Sequence, residues 1–132
     1  METQIEIFAI AIFSIIGLSH IVQHRAWAEF ISGYVEQGRP GVFKYSLMTL
    51  LTGALIVAFH NQWSGLPLVL TVIGWSMLLK SATAFLFPEL ALRSMATAQV
   101  DKSHLLIVPG IIFMIVAIIL SYSIWNSTGL SS

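Results

Sequence analysis

The chain has 132 residues, of which 57% are hydrophobic and 9% charged. A soluble domain is roughly 25% charged, so a chain this poor in charge is expected to reside in a membrane. Six basic and six acidic residues cancel, which gives no argument for nucleic acid as a partner, and the absence of cysteine excludes disulfides, thiolate metal sites and a cysteine nucleophile.

The N-terminal METQIEIF is acidic where a signal peptide is basic. The first apolar run is therefore read as a retained span over residues 4–22, long enough to cross a hydrocarbon slab. Ile10, Ser14, Gly17 and Ile21 or His24 recur on one face, and the small pair invites a close neighbouring backbone. Residues 25–37, RAWAEFISGYVEQ, place Trp27, Phe30, Ile31, Tyr34 and Val35 opposite Arg25, Glu29, Ser32 and Glu36. That pattern predicts an amphipathic helix lying in the membrane interface.

Gly38-Arg39-Pro40-Gly41 turns the chain into a second span, residues 42–60, with Ser46, Thr49, Gly53, Ile56 and His60 on one face. An uncharged turn leads to a third span, residues 66–87, with Ser64 as its expected cap and Pro67 in its first turn. The fourth span is expected over residues 103–125, capped by Asp101 or Ser103. Pro109 should kink it or mark its true start, and a start near Ser103 with a kink is the preferred reading. The polar tail from Asn126 is expected to fray.

The predicted fold is thus a single transmembrane domain over residues 1–132. It is all-α, a polytopic membrane four-helix bundle with an interfacial amphipathic helix between the first two spans. All six basic residues fall in or beside the two long connections, so the positive-inside rule puts those in the cytoplasm and both termini outside. Trp63 and Trp125 would then mark the outer interface, and Trp27 and Tyr34 the inner one.

Lys80 is the charge inside the third span, and it reads in two ways. It snorkels to the interface, or it pairs with a carboxylate or an anionic ligand beside Ser76 and Thr83, which share its face. His20 and His24 are spaced for two imidazoles on one metal, a weak signal that needs further ligands and an unbroken helix. His60 beside Asn61 reads as an interface anchor, or as a protonatable gate at a path lined by residues such as Thr49. Trp75 lies mid-span, and its indole N–H should face protein near Ser14, Thr49 or Thr52. Every acidic residue reads as terminal or cytoplasmic, which argues against a proton relay or an intramembrane hydrolase.

AFHNQW followed by LPLVLTVIGWSMLLKSATAFLFP, from Ala58 to Pro88, resembles a family of small bacterial inner-membrane proteins with four predicted helices. The shared pattern is an F-H-N-x-W turn and a T-x-x-G-W-x-x-x-L-K helix. The resemblance implies a bacterial inner membrane and draws attention to His60, Asn61, Trp63, Thr71, Gly74, Trp75 and Lys80. It implies no activity. The functional expectation is a non-enzymatic subunit, with the lipid bilayer, a homo-oligomer or a larger membrane complex as partners and no cofactor. One alternative is a small oligomeric transporter or channel with a polar site at Lys80. The other is a haem- or metal-binding redox protein using His20, His24 or His60.

Overall fold

The computed structural model describes residues 2–96 and 100–128, and these are all-helical with no strand. In chain order the elements are α1 (Glu2–Val22), α2 (His24–Glu36), α3 (Arg39–Phe59) and α4 (Leu68–Leu86). Then come α5 (Pro88–Ala96), a 3-10 helix (Val100–Leu106) and α6 (Ile107–Thr128). Four stretches, Thr3–Val22, Arg39–Phe59, Leu68–Leu86 and Lys102–Ser127, are long and apolar enough to cross a membrane.

Several boundaries differ from the sequence expectation, the first being α3, which begins at Arg39 rather than at residue 42 because Pro40 fits its first turn. α-Helical geometry in the last span begins at Ile107, so Pro109 sits in the first turn, where a missing N–H costs nothing. The irregularity lies earlier, at Lys102 in the 3-10 lead-in (φ −114°, ψ 25°). Ser103 does not act as the expected cap, because its hydroxyl is engaged with His24 of α2, 2.9 Å away. The side chain of Asp101, the other expected cap, lies outside the described residues. α4 starts at Leu68 with Pro67 at its N-cap and no side-chain cap, so Ser64 does not fill that role. At the other end α6 continues through Asn126 to Thr128, and the rest of the polar tail lies outside the described residues.

The helices pack as two antiparallel pairs, α1 on α6 and α3 on α4, with lighter contact between the pairs. Glycine sets both crossings. A Cβ on Gly110 would stand 2.7 Å from the Gly17 carbonyl oxygen, and one on Gly17 would stand 2.9 Å from that of Gly110. In the second pair, Gly53 approaches the backbone of Leu78, and Gly74 lies under the Ile56 side chain. Close backbone approach of this kind is how helices gain packing energy where no hydrophobic driving force separates helix from surroundings. The Ser14–Gly17 stripe is therefore used inside the chain. Stacked Phe13 and Phe113 (5.1 Å) and Phe43 and Phe85 (5.2 Å) extend the two seams. The pairs meet over a core containing Ala9, Phe13, Ile56, Leu70, Val116 and Leu120.

Polarity is distributed in the reverse of a water-soluble domain. Glu6, His20, Ser46, His60, Thr71, Ser81 and Ser103 are buried, while Ile15, Leu51, Leu79 and Ile118 are each more than 60% exposed. At one end α2, α5 and the 3-10 helix fold over the bundle, joined by His24–Ser103 and by a 3.9 Å Arg39–Glu89 ion pair. At the opposite end lie the start of α1, the turn between α3 and α4, and the last turns of α6.

Candidate functional site

The end that holds the α3–α4 turn contains the most unusual chemistry in the molecule. His60 closes α3 as its C-cap, its N–H donating to the Ile56 carbonyl at 2.8 Å, and its backbone turns extended (φ −147°, ψ 106°). This turn carries the imidazole inward, where it is 1% exposed. Nδ1 stands 3.0 Å from the Thr71 hydroxyl of α4, and that hydroxyl donates to the Gln62 carbonyl at 2.7 Å. The geometry fixes the tautomer. A carbonyl only accepts, so the single Thr71 proton goes to Gln62, and Thr71 Oγ1 must accept from His60 Nδ1–H.

The other ring nitrogen faces α1. His60 Nε2 lies 3.8 Å from Glu6 Oε2, and the two side chains are 0% and 6% exposed. At 3.8 Å the approach of Nε2 to the carboxylate is an electrostatic contact, longer than a hydrogen bond. An isolated charge here would carry a large desolvation cost, which an opposite charge on the partner offsets. The contact also ties the α1–α6 pair to the α3–α4 pair.

Sequence reasoning missed Glu6, classing it with the terminal acids. The correction follows from the helix face. Extending the stripe of Gly17, Ser14 and Ile10 one turn back reaches Glu6, and Glu6, Phe13, Gly17 and His20 are all buried. The premise that no carboxylate lies inside a span therefore fails. The reading of His60 as an interface anchor fails too, because its ring is enclosed.

Asn61 and Trp75 form a second bridge beside the first. The Trp75 indole N–H donates to Asn61 Oδ1 at 3.2 Å, and Asn61 Nδ2 donates to the Val57 carbonyl at 2.7 Å. Trp75 was expected to face protein near the depth of Ser14, Thr49 or Thr52; its N–H meets Asn61 instead, and the residue is 40% exposed. The N–H is satisfied by the turn folding back over α4, so the ring itself can face outward. Four of the positions that carry the sequence resemblance thus pair across the α3–α4 turn, His60 with Thr71 and Asn61 with Trp75.

Lys80, Ser76 and Thr83 stand on the exposed face of α4, opposite the buried face of Thr71, Gly74 and Ser81. The Thr83 hydroxyl donates to the Leu79 carbonyl of its own helix at 3.0 Å. Thr49 is half-buried on the inward face of α3, on a different surface from Lys80.

His20 and His24 do not act together. The helix breaks between them at Gln23 (φ −117°, ψ 40°). His20 Nδ1–H donates to the Ile16 carbonyl at 2.9 Å, and the ring stacks on Trp27 with centroids 4.2 Å apart. His24 turns to Ser103 instead. Among the described residues, no group of three or more His, Cys, Asp and Glu side chains converges in metal-binding geometry.

No family model matches the chain, and neither a curated protein nor a solved structure is significantly similar to it.

Proposed function

We propose that this is a small multi-pass membrane protein that works without catalysis, as an oligomerising or complex-associated subunit. The inverted distribution of polarity supports the membrane reading. Among the described residues seven polar side chains are buried, while large apolar side chains on all four long helices are exposed. In hydrocarbon, buried polar groups must find partners within the protein, as His60, Thr71 and Ser81 do. The grouping of basic residues supports cytoplasmic placement of both long connections, with α2 in the inner interface.

The observation that carries the association reading is the outer face of α3. Leu47, Leu51, Ala54 and Ala58 follow one another at helical spacing and are all exposed. The glycine seams are consumed within the chain, but this stripe retains a small-xxx-small pair that a partner helix can approach. Ala58→Leu should leave the monomer folded, since its side chain faces outward, and should weaken self-association by about 1–3 kcal/mol, the usual cost of overfilling a packed contact. Ala82→Leu, also at an exposed small position but on α4, should change nothing. Fluorescence energy transfer between labelled copies in liposomes reads both. Equal loss in both variants, or in neither, would remove α3 as the contact face.

A second reading, a small oligomeric transporter, is favoured by the enclosed Glu6–His60 pair. Intramembrane ionisable pairs often belong to proton-coupled paths. In that case Glu6→Gln would abolish a pH-gradient-driven flux in reconstituted vesicles while leaving insertion intact.

A further inference from the structure

We infer that the groove between the start of α3 and the α4–α5 corner holds the headgroup of an anionic phospholipid, with its acyl chain along the end of α4. The inference rests on the membrane reading above. The groove, about 350 Å³, is lined by Arg39, Glu89 and Arg93 together with Leu86, Phe87, Pro88 and Leu90. Two guanidinium groups and one carboxylate give the lining a net positive charge. Leu86, Phe87 and Leu90 are 72%, 59% and 56% exposed. A net-cationic lining that includes exposed apolar side chains matches an amphiphile with an anionic head better than a free phosphate or an uncharged lipid.

The ion pair already present does not close the site. Arg39 and Glu89 are 3.9 Å apart, with side chains 68% and 73% exposed, and exposed pairs of this kind hold weakly. A phosphodiester would take over the guanidinium by charge-assisted, bidentate hydrogen bonds. Arg93 is on the same short helix as Glu89, one turn on, so both guanidiniums can reach one headgroup. Lys80 adds to the match. It precedes Phe87 by seven residues, which places it on the same face of α4, and it is exposed. A lipid seated in the groove would run its glycerol region past that ammonium. This gives Lys80 a ligand-facing role that needs no carboxylate partner within the chain.

The test is native mass spectrometry of the full chain titrated in detergent with phosphatidylglycerol, phosphatidylcholine and inorganic phosphate. Phosphatidylglycerol adducts should exceed phosphatidylcholine adducts. Arg39→Gln and Arg93→Gln should each lower phosphatidylglycerol occupancy about fivefold. Glu89→Gln, which removes the competing carboxylate, should raise it. All three positions are exposed, so the variants keep the fold. Equal occupancy by the two lipids, unchanged occupancy in the arginine variants, or saturation by inorganic phosphate alone would each overturn the inference. Failure of the protein to insert into bilayers would instead overturn the membrane reading, so the two failures are distinguishable.

Discussion

Glu6→Ala should cost about 1–3 kcal/mol of stability, the penalty of leaving a buried polar group without its partner. The loss follows from enclosure: both side chains lie inside the molecule, so His60 cannot recover the interaction from solvent. Glu6→Gln should recover most of it. Thr71 fixes the proton on His60 Nδ1, which leaves Nε2 of the neutral ring as an acceptor, and the glutamine amide is a donor of the right shape. His60→Ala should resemble Glu6→Ala, and the double variant should be little worse than either single one. Reversible unfolding in mixed micelles reads the whole cycle. Additive single-variant losses would mean that the 3.8 Å approach carries no coupling.

Gly110→Val should separate α1 from α6 and leave a loosened monomer. An alanine there already places its Cβ 2.7 Å from the Gly17 carbonyl oxygen and 2.8 Å from the His20 Cβ. The first of these atoms is backbone and cannot rotate away, so relief requires the helices to move apart. Overpacking costs typically run to about 1–3 kcal/mol, and valine adds two methyl groups to the same collision. Gly33→Ala provides the contrast. A Cβ at Gly33 meets nothing within 4 Å, and the residue lies within α2. That change should be neutral or stabilise by up to about 1 kcal/mol through helix propensity. Thermal unfolding followed by helical circular dichroism distinguishes the two, and similar effects at both positions would contradict the close crossing.

These residues also show what sequence alone can supply. Span positions were legible because a run of about 20 apolar residues has few structural alternatives. The inward face of α3 was legible too, because Ser46, Gly53, Ile56 and His60 recur at helical spacing and are all buried. Periodicity assigns a face but does not name what the face meets. The pairing of α1 with α6, and of α3 with α4, depends on matched glycines far apart in the chain, such as Gly17 and Gly110. The same limit hid Glu6, whose partner is on another helix. It also drew attention to Lys80, which is conspicuous as a charge yet stands on the outer face. His20 and His24 looked like a ligand pair only on the assumption of an unbroken helix, and a single non-helical residue, Gln23, separates them.

Together the Glu6–His60 contact, the paired glycine crossings and the apolar exterior describe a bundle assembled around an interior that must satisfy its own polar groups. The central claim is that the α3–α4 turn and the α2 end lie on opposite sides of a membrane. The chain has no cysteine, so single cysteines can be introduced without background. Ser64 and Glu36 are both exposed and lie at the two ends. A membrane-impermeant thiol reagent added outside intact cells should label the Ser64→Cys variant at once and the Glu36→Cys variant only after the membrane is opened. Labelling of both variants from the same side would contradict the account.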